Sequence, residues 1–171
     1  MDNLNTVPVY QQSCVYAEKH NELDDYMKSQ RENIACAKAI ENAIGAHYDG
    51  YRLETEDAVN EVMQQFGQER TFRVLANTVQ HKDWDGRFSR QSIEWAHSQP
   101  SMEDIDNYNK DRSFEYCVNR SSPGLVDLFL RFAVRYAERE KKPSIRAQLA
   151  VGKAEQTEKP AAKARSREEA R

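Results

Sequence analysis

Residues 69–90, ERTFRVLANTVQHKDWDGRFSR, decide how this chain is read. Phe72, Leu75 and Val79 recur at i, i+3 and i+7, so the first half predicts an amphipathic helix with that face turned to a core. Asp85-Gly86 then stops the helix, because glycine reaches positive φ without steric cost and the pair is a turn former. Charge and two large aromatics, Trp84 and Phe88, meet at that corner.

Toward the N-terminus, Gly67 is placed just past the end of a preceding helix. That helix is expected to be capped by Thr55, to carry Glu56 and Asp57 at the positive end of its dipole, and to face inward through Val59, Val62, Met63 and Phe66. Asp49-Gly50 is a turn closing a long helix over residues 22–47, with Leu23, Tyr26, Met27, Ile34, Ala37, Ile40 and Ile44 along its stripe. A short helix over residues 11–19, with Val15 and Tyr16 inward, opens the series. Toward the C-terminus, Ser89 is the predicted N-cap of a helix carrying Ile93 and Trp95 that fades at Gln99-Pro100. Residues 100–112 are acidic and aperiodic, which reads as a loop.

Residues 113–119 alternate, with Phe114, Tyr116 and Val118 on one side, and suit at most one short strand. A lone strand is unstable, so it either pairs with residues 7–10 or is an irregular extended segment covering the helices. Ser122-Pro123-Gly124 opens the last helix, whose buried stripe is expected to be Leu125, Leu128, Phe129, Phe132 and Tyr136. The fold class expected is mainly α, a compact multi-helix domain over residues 1–140.

With 39% hydrophobic and 31% charged residues, a chain of 171 holds one modest core. No apolar run approaches the roughly 18 residues of a membrane span, and the N-terminus lacks a signal-peptide pattern, so no membrane association and a cytoplasmic location are expected. Cys14, Cys36 and Cys117 are odd in number and far apart, which predicts free thiols. Charge is uneven. Residues 141–171 hold nine Lys/Arg against four Asp/Glu, a net +5, so the whole-chain −3 leaves residues 1–140 at −8. The tail has few large apolar side chains and is expected to be disordered.

No GxSxG, no phosphate-cradling glycine loop and no CxxC is present, and no cofactor is expected. His81, Asp83 and Asp85 are a weak candidate metal site of three ligands, with Asp85 already explained by the turn. Trp84, Asp85, Arg87, Phe88 and Arg90 carry residue types favoured at interface hot spots, although Trp84 and Phe88 could equally fold back as core. Acidic candidates for a basic partner surface are Glu54, Glu56, Asp57 and Glu61 on one helix, and Glu103, Asp104, Asp106 and Asp111 in the loop. The alternative is a weak DNA or RNA contact through Arg87, Arg90, Lys153, Lys163 and Arg165.

Several segments in order, VPVYQQSCVYAEKHNELDDYMKSQRENIACAKAIENAI, FGQERTFRVLANTVQHKDWDGRFSR, SSPGLVDLF and KPSIRAQL, give the chain a wider resemblance. Over roughly residues 7–150 it resembles an uncharacterised domain family carried by integrative conjugative elements and other mobile DNA of Gram-positive gut bacteria. The resemblance supplies no catalytic residues. It implies a mobile-element accessory protein. Some small relatives of this sort resemble inhibitors of host defence, Cas9-directed anti-CRISPR proteins among them. The expectation is therefore a non-enzymatic protein that binds a nucleic-acid-bound defence nuclease of the Cas9 type. A nucleic-acid-binding accessory factor of conjugation or transposition is the alternative, and a small metal-dependent nuclease the third reading.

Overall fold

The computed structural model describes residues 7–99 and 113–141. The fold is mainly α. Among the described residues five α-helices follow in order: α1 (Cys14–Lys19), α2 (Leu23–His47), α3 (Thr55–His81), α4 (Arg90–Ser98) and α5 (Pro123–Lys141). Among the described residues none of them is long and apolar enough to cross a membrane. By its contacts the chain divides into two units, Met1–Arg135 and Tyr136–Arg171, and the second is described only as the last turns of α5. The loop at residues 100–112 and the tail from residue 142 onward lie outside the described residues.

Helix α3 is the central element, packing on α2, α4 and a 3-10 turn at Ser113–Tyr116. It is two helices joined at a break. Gly67 has φ 79° and ψ 164°, and Val59, Val62 and Phe66 face the core before it. Beyond it burial wraps most of the way round: Val74, Leu75, Ala76 and Val79 are enclosed together with Arg70, Thr71 and Thr78. Phe72 is only partly buried and meets Trp95 of α4 edge-on, with ring centroids 5.2 Å apart. Thr55 is the first helical residue rather than the cap, a position taken by Glu54 with no side-chain capping bond.

The inward face of α2 departs from expectation in its first half. Ala37, Ile40 and Ile44 are buried as predicted, with Ala43 beside them, but Leu23 is exposed, and Ser29, Gln30 and Asn33 take the inner positions beside Tyr26. The reason is Arg70, 1% exposed, which reaches across from α3. Its Nη1 donates to Ser29 O at 2.9 Å and to Asn33 Oδ1 at 2.6 Å, and its Nη2 donates to Val7 O at 2.8 Å. Enclosing a guanidinium costs several kcal/mol unless its donors are met. Polar side chains on α2 meet them where an aliphatic stripe could not.

The expected strand at residues 113–119 is not formed. Residues 113–116 make the 3-10 turn, and no strand pairs with residues 117–119. The extended stretch that follows is satisfied by side chains instead of a ladder. Val118 N donates to Thr78 Oγ1 at 2.9 Å, and Glu41 Oε1 accepts from Asn119 N and Arg120 N at 2.9 and 3.0 Å. Lys82 Nζ donates to Val118 O at 3.2 Å. This is the irregular cover over the helices, with Tyr116 and Val118 buried beneath it.

Two smaller shifts follow from packing. In α1 the buried residue is Ala17, while Tyr16 turns outward and stacks on His20 at 3.8 Å. In α5 the face is Val126, Phe129, Leu130 and Ala133, and Leu128 is exposed. Asp127 fixes that rotation, because its carboxylate is needed inside (see below). The three cysteines form no disulfide with one another, and burial pushes the Cys36 thiol up to about 12, which makes it a core residue rather than a nucleophile.

Two substitutions test this account. Gly67→Ala meets no atom within 4 Å, so its effect is purely conformational, and a loss of about 1–3 kcal/mol is expected in urea denaturation. Thr78→Val keeps the volume but leaves the Val118 amide without an acceptor, and should cost about 1–3 kcal/mol by the same measurement.

Candidate functional site

The corner between α3 and α4 is built as a chain of turns. Lys82 N donates to Val79 O, Asp85 N to Lys82 O and Phe88 N to Asp85 O, so the backbone winds tightly through residues 82–88. Phe88, 4% exposed, is driven into the core and anchors one end. At that end Ser89 caps α4, accepting from Ser92 N. Ser89 N and Oγ both donate to Asp127 Oδ1 at 2.9 Å, which ties the corner to α5. Asp127 also pairs with Arg131 at 3.1 Å.

Asp85 braces the turn from within. It is 7% exposed, and its Oδ1 accepts from Arg87 N and Nε at 3.0 Å while Oδ2 accepts from Arg87 Nη2 at 2.8 Å. The Arg87 guanidinium and amide hold this carboxyl down at about 2. In return the carboxylate raises Arg87 above the ordinary arginine value. His97 Nε2 lies 3.2 Å from Asp83 Oδ2, linking the turn to the far end of α4.

Trp84 stands on this frame with 78% of its surface exposed. The two aromatics of the corner therefore part company: Phe88 is core and Trp84 is surface. The structure brings Trp84, Asp85 and Arg87 together on one turn, with Arg90 beginning the next helix. Both arginines already bond carboxylates, Arg87 to Asp85 and Arg90 to Glu94 at 2.8 Å. Glu54 and Glu61 are likewise engaged, with Arg52 and His47. Glu103, Asp104, Asp106, Asp111, Lys153, Lys163 and Arg165 lie outside the described residues.

The weak metal reading of His81, Asp83 and Asp85 is not supported by the geometry. Among the described residues no three His, Cys, Asp or Glu side chains form a group able to hold an ion. Asp85 is committed to Arg87, and Asp83 faces His97. Hydrophobic patterning missed a second polar cluster, Arg70 with Ser29 and Asn33. The available signal was spacing: Arg70, Val74 and Asn77 lie at i, i+4 and i+7, and an arginine on that inner row requires acceptors opposite.

A carboxyl whose folded value lies below the ordinary aspartate value of 3.8 adds stability that is present above that value and lost as pH falls toward about 2. Asp85→Asn should therefore melt below the parent at neutral pH, and the gap in melting temperature should close between pH 4 and 2.

Among known proteins, no curated protein and no solved structure matches this chain. A family model does, over residues 9–138, which spans the corner and all the helices that hold it. The chain belongs to the family described as protein of unknown function (DUF3849).

Proposed function

We propose that this protein acts by binding another macromolecule, without turnover, through the Trp84 corner. The observation that carries this reading is an indole left 78% exposed on a turn braced at both ends and from within. Tryptophan is a large apolar side chain whose exposure gains nothing in the isolated chain, and it is among the residues most enriched at interface hot spots. A rigid support lowers the entropy lost when the ring is covered.

The pairing of charges favours a protein partner over nucleic acid. Arg87 and Arg90 each hold a carboxylate, so a phosphate would have to compete with Asp85 and Glu94. Residues 1–140 carry a net −8, which would speed encounter with a basic surface and slow encounter with DNA. The partner we favour is a defence nuclease of the Cas9 type with its nucleic acid bound, met by this protein as an accessory of mobile DNA.

Pull-down with a purified Cas9–guide complex, together with a DNA-cleavage assay, tests the target. Association and slowed cleavage are expected, and Trp84→Ala should weaken association about 10- to 30-fold, a hot-spot loss near 2 kcal/mol. Absence of association with cleavage unimpaired removes this target. Equal binding by Trp84→Ala removes the corner as the contact. DNA binding with a steep salt slope would replace the protein partner by nucleic acid.

A further inference from the structure

The N-terminal segment runs against α3 beside a cavity of about 370 Å³ lined by Gln11, by Gln68, Glu69, Phe72, Arg73 and Ala76 of α3, and by Gln99. The segment is held by polar contacts. Tyr10 N donates to Ser29 Oγ at 3.0 Å, the Tyr10 hydroxyl donates to Glu22 Oε2 at 2.7 Å, and Val7 O accepts from Arg70. Gln11 bridges the two charged residues of the cavity: its Nε2 donates to Glu69 Oε1, and its Oε1 accepts from Arg73 Nη2 at 2.6 Å.

Arg73 is left incompletely satisfied. Its Nε and Nη1 are shielded from water and make no hydrogen bond of good geometry among the described residues, the Tyr116 side chain being the polar neighbour on that side. One turn earlier Arg70 is enclosed with neutral acceptors, so two guanidinium groups sit side by side on one stretch of helix. Burial holds both below the ordinary arginine value, yet arginine does not shed its proton in proteins. The interior beside the cavity is therefore cationic. Glu69 is the carboxylate lining it, and that group is bonded to Gln11.

An unpaired buried donor on a charged group is costly, and an anionic acceptor relieves that cost more fully than a carboxamide does. We propose that this cavity binds a small monocarboxylate with an apolar body. Its carboxylate takes the place of the Gln11 carboxamide oxygen on Arg73, and its apolar part lies along Phe72 and Ala76. Gln11 lies on the exposed side of the cavity, so a ligand that displaces its bonds to Glu69 and Arg73 releases its side chain to solvent and takes over the Arg73 Nη2 donor. Glu69 sets the charge of the ligand, because a phosphate dianion would meet a second negative group at close range. The volume matches the lower end of small-molecule sites.

The full chain, labelled with ¹⁵N, is titrated with benzoate, with benzyl alcohol as a neutral counterpart and with inorganic phosphate. Benzoate should give saturable shifts at the Arg73 Nε–H and at the Phe72 and Ala76 amides, with benzyl alcohol about tenfold weaker. Gln11→Ala should bind benzoate more tightly, since the internal competitor is gone, and Arg73→Gln should abolish saturation. Equal affinity for benzoate and benzyl alcohol, or no saturable shift at these positions, overturns the proposal. Phosphate binding as tightly as benzoate overturns the carboxylate assignment. If Arg73→Gln fails to fold, the comparison of ligands on the parent chain and Gln11→Ala decides.

Discussion

The interior of this protein depends on one buried cation. Arg70 is enclosed in the core, and its guanidinium joins three pieces of chain far apart in sequence: the first half of α2 through Ser29 and Asn33, α3 itself, and the N-terminal segment through Val7. A charge moved out of water costs several kcal/mol unless every donor finds an oxygen. That requirement dictates register as well as stability. If α2 rotated to bring Leu23 and Ile34 inward, as hydrophobicity alone would favour, the guanidinium would lose two of its acceptors.

The same logic recurs at the corner between α3 and α4. Asp85 and Asp127 are both buried carboxylates, and each is spent on holding a turn: Asp85 on Arg87, Asp127 on Ser89 and Arg131. Asp127 at an inner position of α5 explains why Leu128 faces out and Val126 in. Buried polar pairs of this kind add little net stability compared with apolar packing, but they exclude alternative rotations of the helices. Their product is a fixed surface on which Trp84 stands clear of the fold.

The segment from Cys117 to Arg120, buried at its first two residues, shows how irregular backbone can be satisfied without a sheet. The amides of Val118, Asn119 and Arg120 are met by Thr78 and Glu41, and one carbonyl by Lys82, so α2, α3 and the residue that caps α3 supply side chains in place of a neighbouring strand. Alternation of Tyr116 and Val118 was a true signal of burial. It was not a signal of pairing, because an amide satisfied by a threonine leaves the same period-2 pattern as one satisfied by a strand.

What the sequence determined by itself was the run of helices and the places where they stop. Gly50, Gly67, Ser89 and Pro123 act within a few residues, and the apolar spacing of Val59, Val62, Phe66, Ile40 and Ile44 needs no partner to be seen, whereas α3 ends at His81, ahead of Asp85-Gly86, and Gly86 is not among the glycines at positive φ. Only the tertiary structure decided which polar groups belong inside. Arg70, Ser29, Asn33 and Asp127 are residue types that ordinarily face solvent, and each is inside because an acceptor or donor from elsewhere in the chain meets it. The fates of Trp84 and Phe88 were settled in the same way. They are four residues apart with equal claims on the core, and the tight turn through residues 82–88 encloses Phe88 and leaves Trp84 in solvent.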